Sequence, residues 1–159
     1  MSKVKAIPDG FHTITPHLIV RDSKAAIDFY QKAFGAQLQG GIAYAPDGKV
    51  MHAMVKIGDS LLMLNDEFPA QGVVAPKAGE SGIALHIYVD NVDELFGRAT
   101  RAGAQAKMPP ADMFWGDRYG KVQDPFGHTW TMATHIKDMT QDEMKAAMDE
   151  AMSAMRKTA

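Results

Sequence analysis

The chain has 159 residues, 46% hydrophobic and 23% charged, with a formal charge of −2 from 17 basic and 19 acidic side chains. This balance is globular, fits one ordinary domain or two small modules with a shared core, and offers no basic face to a nucleic acid. No cysteine is present, which excludes disulfides, thiolate metal sites and a cysteine nucleophile and, by elimination, places the protein in the cytoplasm. No stretch resembles a signal peptide or approaches the roughly 18 apolar residues of a membrane span, so no membrane partner is expected.

In chain order, ITPHLIV (14–20) is β-branched and apolar enough for a strand, and Asp22-Ser23 then offers side-chain oxygens to cap a helix. In AAIDFYQKAFGA the apolar residues Ala26, Tyr30, Ala33 and Phe34 recur at helical spacing, and Gly35 supplies the stop. Strands are expected near 37–45, 50–57 and 60–65, with PDGK (46–49) and Gly58-Asp59 as turns. The order is βαβββ. Residues 67–82 are rich in Gly, Pro and Ala without periodicity and form a linker.

The pattern then repeats. IALHIYV is a strand, Asn91 with Glu94 makes a capping box, and Val92, Leu95, Phe96 and Ala99 form the face of a helix ended by Gly103. Strands near 104–108, 117–123 and 128–135 follow, with PPADMFWGD (109–117) as an irregular interruption. The interval from His17 to His86, 69 positions, recurs from Gly58 to Gly127, and two modules of about 65 residues account for it. The organisation is thus a first module at 12–66, a linker at 67–82, a second module at 83–136 and a helical extension at 137–159. In that extension Thr140 and Glu143 form another capping box, and Met144, Met148, Met152 and Met155 make a stripe at helical spacing. The stripe is expected to dock on its own domain or on a partner subunit, with an adaptable peptide-binding methionine surface as the alternative.

The segments HLIVRDSKAAIDFYQKAFGA, ALHIYVDNVDELFGRATRAGA and GDRYGKVQDPFGHTW resemble the vicinal oxygen chelate superfamily over about residues 12–136. That superfamily houses glyoxalases, extradiol dioxygenases, epimerases and antibiotic-sequestering proteins of the bleomycin-resistance type. The FY…AFGA helix, the IGDS turn and the DPFGH turn are similar to its PhnB-like branch. The resemblance implies an α+β fold of tandem βαβββ modules forming cupped mixed sheets, here with a C-terminal helix, and a homodimer with modules swapped or unswapped. It also implies that metal-dependent members draw His and Glu ligands from the first and last strands of each module. The matching positions here are Thr15, Met63, Ala84 and Thr131. A hydroxyl, a thioether and a methyl group do not replace imidazole and carboxylate around a divalent ion, so no metal or other cofactor is expected.

His17 and His86 stand two residues beyond two of those positions, and strand alternation puts them on the same concave side. Three readings compete: histidines bonded to neighbouring strands, polar handles for an organic ligand, or a displaced metal site completed by Glu67 or His135. The same parity collects Ile19, Met63, Asn65, Tyr88, Thr129, Thr131 and Ala133, a mostly apolar lining with scattered polar groups. Phe114, Trp115 and Arg118 are expected at the rim, with Trp115 alternatively a hydrophobic plug and Asp117–Arg118 a local salt bridge. His12, His52 and His128 are expected to be structural, and no nucleophilic grouping or phosphate loop is present.

The expected site is therefore His17, Met63, Asn65, His86, Tyr88, Phe114, Trp115, Arg118 and Thr131, binding a planar small molecule in a metal-free cup. A glyoxalase-like lyase, isomerase or dioxygenase using a divalent metal is the alternative, and a metal-free enzyme with a histidine acid or base is a third.

Overall fold

A computed structural model describes residues 4–158, so Met1–Lys3 and Ala159, the last residue of the expected helical extension, lie outside the described residues. The order is β1 (His17–Val20), α1 (Ser23–Phe34), β2 (Gln37–Leu38), β3 (Ala43–Tyr44), β4 (Val50–Ile57) and β5 (Ser60–Asp66). Then come β6 (Ala84–Tyr88), α2 (Val92–Ala102), β7 (Gln105–Asp112), β8 (Asp117–Gln123), β9 (Thr129–His135) and α3 (Gln141–Thr158). The first sheet runs β1-β5-β4-β2, with β3 also on β4, and the second runs β6-β9-β8-β7. The first and last strands of each repeat pair in parallel, β1 with β5 and β6 with β9, while the neighbours pair antiparallel. The result is an α+β fold of two mixed sheets with a third, C-terminal helix.

Local chemistry sets the helix ends. Asp22 Oδ1 accepts from the amide of Ala25 and Asn91 Oδ1 from that of Glu94, satisfying amides that lack a helical partner. Gly35 and Gly103 end α1 and α2 at φ of 67° and 118°, a left-handed conformation that glycine adopts without strain. The full reciprocal box forms at α3: Glu143 Oε2 accepts from the Thr140 amide, and Thr140 Oγ1 from the Glu143 amide.

The core lies between the sheets and α1 and α2, and it is shared by both repeats. Leu18, Val20, Val55, Leu62 and Leu64 from the first and Val92, Val122, Trp130 and Met132 from the second join one cluster. Tyr30 and Phe34 of α1 reach Trp130 of β9, with ring centres 5.4 and 4.6 Å away. A buried carboxylate reinforces that contact: Asp124 accepts from Tyr30 Oη and Trp130 Nε1 on one oxygen, and from the amides of Phe126 and His128 on the other.

The structure refines four expectations. The strand near 37–45 is two short pieces parted at Gly40-Gly41, where Gly40 has φ of 66°. The prolines at 109 and 110 do not break the second repeat, because β7 runs through them to Asp112 as an outer strand, with pairing shifts on either side of Met108. An outer strand tolerates residues without an N–H, and such shifts absorb their geometry. The 67–82 segment, expected as an aperiodic linker, carries a 3-10 turn at Pro69–Gln71 and a Phe68–Val73 bridge. Finally, of the two docking modes expected for the methionine stripe of α3, the one on its own domain leaves Met148 and Met152 exposed and Met144 half-buried. Among the described residues no helix is long and apolar enough to cross a membrane.

Candidate functional site

Strand alternation places the two histidines as parity requires. In β1 Leu18 and Val20 face the core while His17 is exposed, and in β6 Leu85 and Ile87 pack inward while Ala84, His86 and Tyr88 face away from it. His17 lines a cavity of about 650 Å³ with Ile19, Asn65, Met51, Phe68 and Val73. It also borders a smaller one, about 260 Å³, with Ile83, Leu85 and Thr129. The 68–76 segment thus walls both cavities, a role its irregular composition did not announce. His86 borders neither cavity, so the pair is not brought together in one hollow.

On the first sheet, Met63 lies opposite His17 across the β1–β5 pair, and Asn65, 7% exposed, donates to the Asp66 carbonyl. His52 turns out to face His17, with the ring centres 6.2 Å apart and the planes at 89°.

On the second sheet a connected aromatic group forms. His86 Nδ1 lies 2.7 Å from Thr131 Oγ1, directly across the β6–β9 pair. The His86 ring stands 4.6 Å from Tyr88 and 6.0 Å from Tyr119, and Tyr119 lies 5.6 Å from Trp115, which packs on Phe114. Partial burial lowers the pKa of His86 against the opposing pull of the Asp117 charge, so the neutral imidazole is favoured.

Asp117 organises this group. At 5% exposure its Oδ2 accepts from Tyr88 Oη at 2.9 Å and Trp115 Nε1 at 3.1 Å, and its Oδ1 contacts His135 Nδ1 at 2.8 Å. Burial alone would raise the Asp117 pKa, but the donors from His135, Tyr88 and Trp115 and the charge on His135 outweigh it and hold the carboxyl below its ordinary value. The bond to Asp117 raises the Tyr88 pKa. His135 is gripped on its other side by Asp138, which together with Asp117 raises its pKa. The Gly116 carbonyl accepts from the amides of Ile136 and Lys137, and Gly116 lies so close to the Lys137 carbonyl that a Cβ would collide with it. The turn carrying Trp115 is therefore tied to the chain that leads into α3.

Several expectations change accordingly. Asp117 and Arg118 do not pair: Arg118 points to Asp93 and Asp112, with bonds of 2.6 and 2.9 Å. Adjacent residues on a strand face opposite sides, which is why one serves the aromatic group and the other the rim. Trp115 is half-buried with its N–H bonded rather than a plug beneath its loop. His128, read as structural, is buried with Nε2 2.9 Å from the Ile19 carbonyl. Tyr119 was missed, although Asp117 and Tyr119 share the parity of one strand face.

Glu67 and His135 do not complete a metal site. Glu67 accepts from the amide of Ala75, His135 is held by two aspartates, and among the described residues no three His, Cys, Asp or Glu side chains converge as metal ligands. Of the four positions the family uses for ligands, 131 carries a hydroxyl already bonded to His86 and 84 a methyl group. The residues present do not fit a divalent metal of the glyoxalase kind.

The profile of the Glyoxalase/Bleomycin resistance protein/Dioxygenase superfamily matches residues 10–132. Uncharacterized protein Mb0911c of Mycobacterium bovis is 41% identical over 139 residues, covering 85% of this chain and 91% of that one. Among solved structures, TioX from Micromonospora sp. ML1 is 29% identical with a TM-score of 0.62, covering 79% of this chain and all of its own. The Arabidopsis thaliana At5g48480 gene product is 28% identical with a TM-score of 0.63, covering 77% of this chain and 98% of its own.

Proposed function

Starting from the fact that this chain belongs to the glyoxalase/bleomycin resistance protein/dioxygenase superfamily, we propose that it is a small-molecule-binding protein of the bleomycin-resistance or PhnB-like type. It holds a planar organic ligand against its concave faces without a divalent metal, and it works as a cytoplasmic homodimer. The observation that carries this reading is the aromatic group of His86, Tyr88, Trp115 and Tyr119, two of whose members are fixed by one buried carboxylate. Side chains held in place before binding lose little freedom when a flat ring stacks on them, which favours affinity. The cavity beside His17 and Asn65 adds an apolar volume with two polar handles. Met63 sits beside them, Phe114 backs Trp115, and Thr131 orients His86. Arg118, tied to Asp93 and Asp112, serves as a rim group. The cysteine-free composition supports the location, and the family resemblance supports the dimer.

A thermal-shift panel of glycopeptides, thiopeptides and naphthoquinones tests the reading. A ligand at a hundredfold excess over its Kd stabilises the folded state by about 2.7 kcal/mol, or roughly 5–10 °C in a chain of this size. The chain has two tryptophans, and Trp130 is buried in the core, so quenching on binding should vanish in Trp115→Phe. A panel without any shift, or quenching that persists in that variant, counts against the proposal. Stoichiometric zinc, nickel, manganese or iron in purified protein, lost in a His17→Ala/His86→Ala double variant, would favour a metal-dependent lyase or dioxygenase instead.

A further inference from the structure

The face of the first sheet carries an unusual donor set. His17 of β1 lies opposite Met63 of β5, and Met63 lies opposite Met54 of β4. His52 precedes Met54 by two residues and so shares its face, completing four side chains on three adjacent strands. β5 runs between β1 and β4, and its Met63, opposite His17, and its Asn65, one row on toward His52, share the face of the two imidazoles.

No carboxylate intrudes. Both oxygens of Asp66 are taken by the amides of Ser23 and Val50, and Glu67 is bonded to the Ala75 amide. The donors on this face are therefore two imidazoles and two thioethers, with the Asn65 amide beside them. Hard ions such as magnesium or calcium need oxygen donors, and zinc takes three or four imidazole, thiolate or carboxylate ligands, of which this face offers two imidazoles. Thioethers favour monovalent copper.

The spacing agrees with that chemistry. A metal–imidazole bond is about 2 Å and the ring centre lies roughly 1.2 Å further back, so two imidazoles on one ion stand at most about 6.4 Å apart. The rings of His17 and His52 are 6.2 Å apart, close to the separation of a near-linear N–metal–N unit. Perpendicular ring planes are compatible with a shared ion once each ring turns a nitrogen inward.

We propose that His17 and His52, backed by Met63 and Met54, form a site for one soft monovalent d10 cation, copper(I), with silver(I) as its redox-stable analogue. The site shares His17 and Met63 with the organic-ligand reading, whereas His52 and Met54 take no part in that one.

The test is an anaerobic competition between the purified full chain and bicinchoninate for copper(I), together with native mass spectrometry of the silver(I) complex. One ion per chain is expected. His17→Ala and His52→Ala should each weaken binding at least tenfold, and Met63→Leu by about tenfold, with zinc(II) held far more weakly. These side chains are exposed or half-buried, so circular dichroism melts should stay near the parent's. Failure to hold the ion against the chelator overturns the site. So does binding that survives both histidine changes and is lost in Met148→Leu/Met152→Leu, which would place the ion on α3. Loss of copper in His52→Ala with retained response to a planar ligand would separate this site from the organic-ligand one.

Discussion

Replacing Asp124 with alanine should come close to unfolding the protein, and the structure shows why. Four donors converge on this carboxylate: Tyr30 Oη at 2.8 Å, Trp130 Nε1 at 2.9 Å, and the amides of Phe126 and His128, both at 2.9 Å. Tyr30 is 0% exposed and Trp130 3%, so after the substitution neither polar group can turn to water. A buried donor left without a partner costs about 1–3 kcal/mol, and each of the two turn amides loses about 1 kcal/mol. The total is about 4–8 kcal/mol against a global stability of roughly 5–15 kcal/mol. In a chain of this size that corresponds to a fall in Tm of about 10–30 °C. Tyr30→Phe removes one donor and leaves Asp124 with three, so it should cost only about 1 kcal/mol. The two changes combined should be less than additive, because the phenylalanine no longer strands a hydroxyl. Scanning calorimetry or urea denaturation of the four proteins measures this. An Asp124→Ala protein melting within about 3 °C of the parent would refute the idea that one carboxylate joins the two repeats.

Other outcomes follow from the Asp117–His135–Asp138 arrangement and its surroundings. His135 has a raised folded pKa, so its contribution is full below the unfolded value near 6.5 and is lost as pH rises through the folded one. Asp117 has a lowered folded pKa, so its contribution is present above about 3.9 and is lost as pH falls through the folded value. The Tm should therefore decline on the alkaline side, and His135→Gln should flatten that limb in melts taken across pH. Gly116→Ala adds a Cβ against the Lys137 carbonyl at φ of 95°, and should cost about 1–3 kcal/mol while raising the quenching of Trp115 by acrylamide. The ring of His86 should titrate below about 6.5 by NMR, and a midpoint above that value would contradict its burial.

Much of the frame was legible because its signals are local. Period-two alternation around His17 and His86 placed both away from the core, and single side chains at Asp22, Asn91 and Thr140 marked helix starts. The four apolar residues chosen for α1 are all buried. The partners of Asp117 were not legible: Tyr88 is 29 residues away and reaches it only because β6 and β8 flank β9. Proximity in sequence instead suggested Arg118, which strand geometry sends to the other face. The walls at Phe68 and Val73 were hidden for a similar reason, since an aperiodic segment does not reveal which side of a sheet it covers. The prolines at 109 and 110 were read as a break because composition alone does not tell an outer strand from an inner one.

Those two prolines also bear on how copies of this chain can meet. β7 closes one margin of the second sheet, and two consecutive residues there have no N–H to offer. An incoming strand would find a gap in its ladder and a kinked register on either side of Met108. That margin resists uncontrolled edge-to-edge growth at high concentration. Any strand that extended this fold by edge pairing would have to add at another margin.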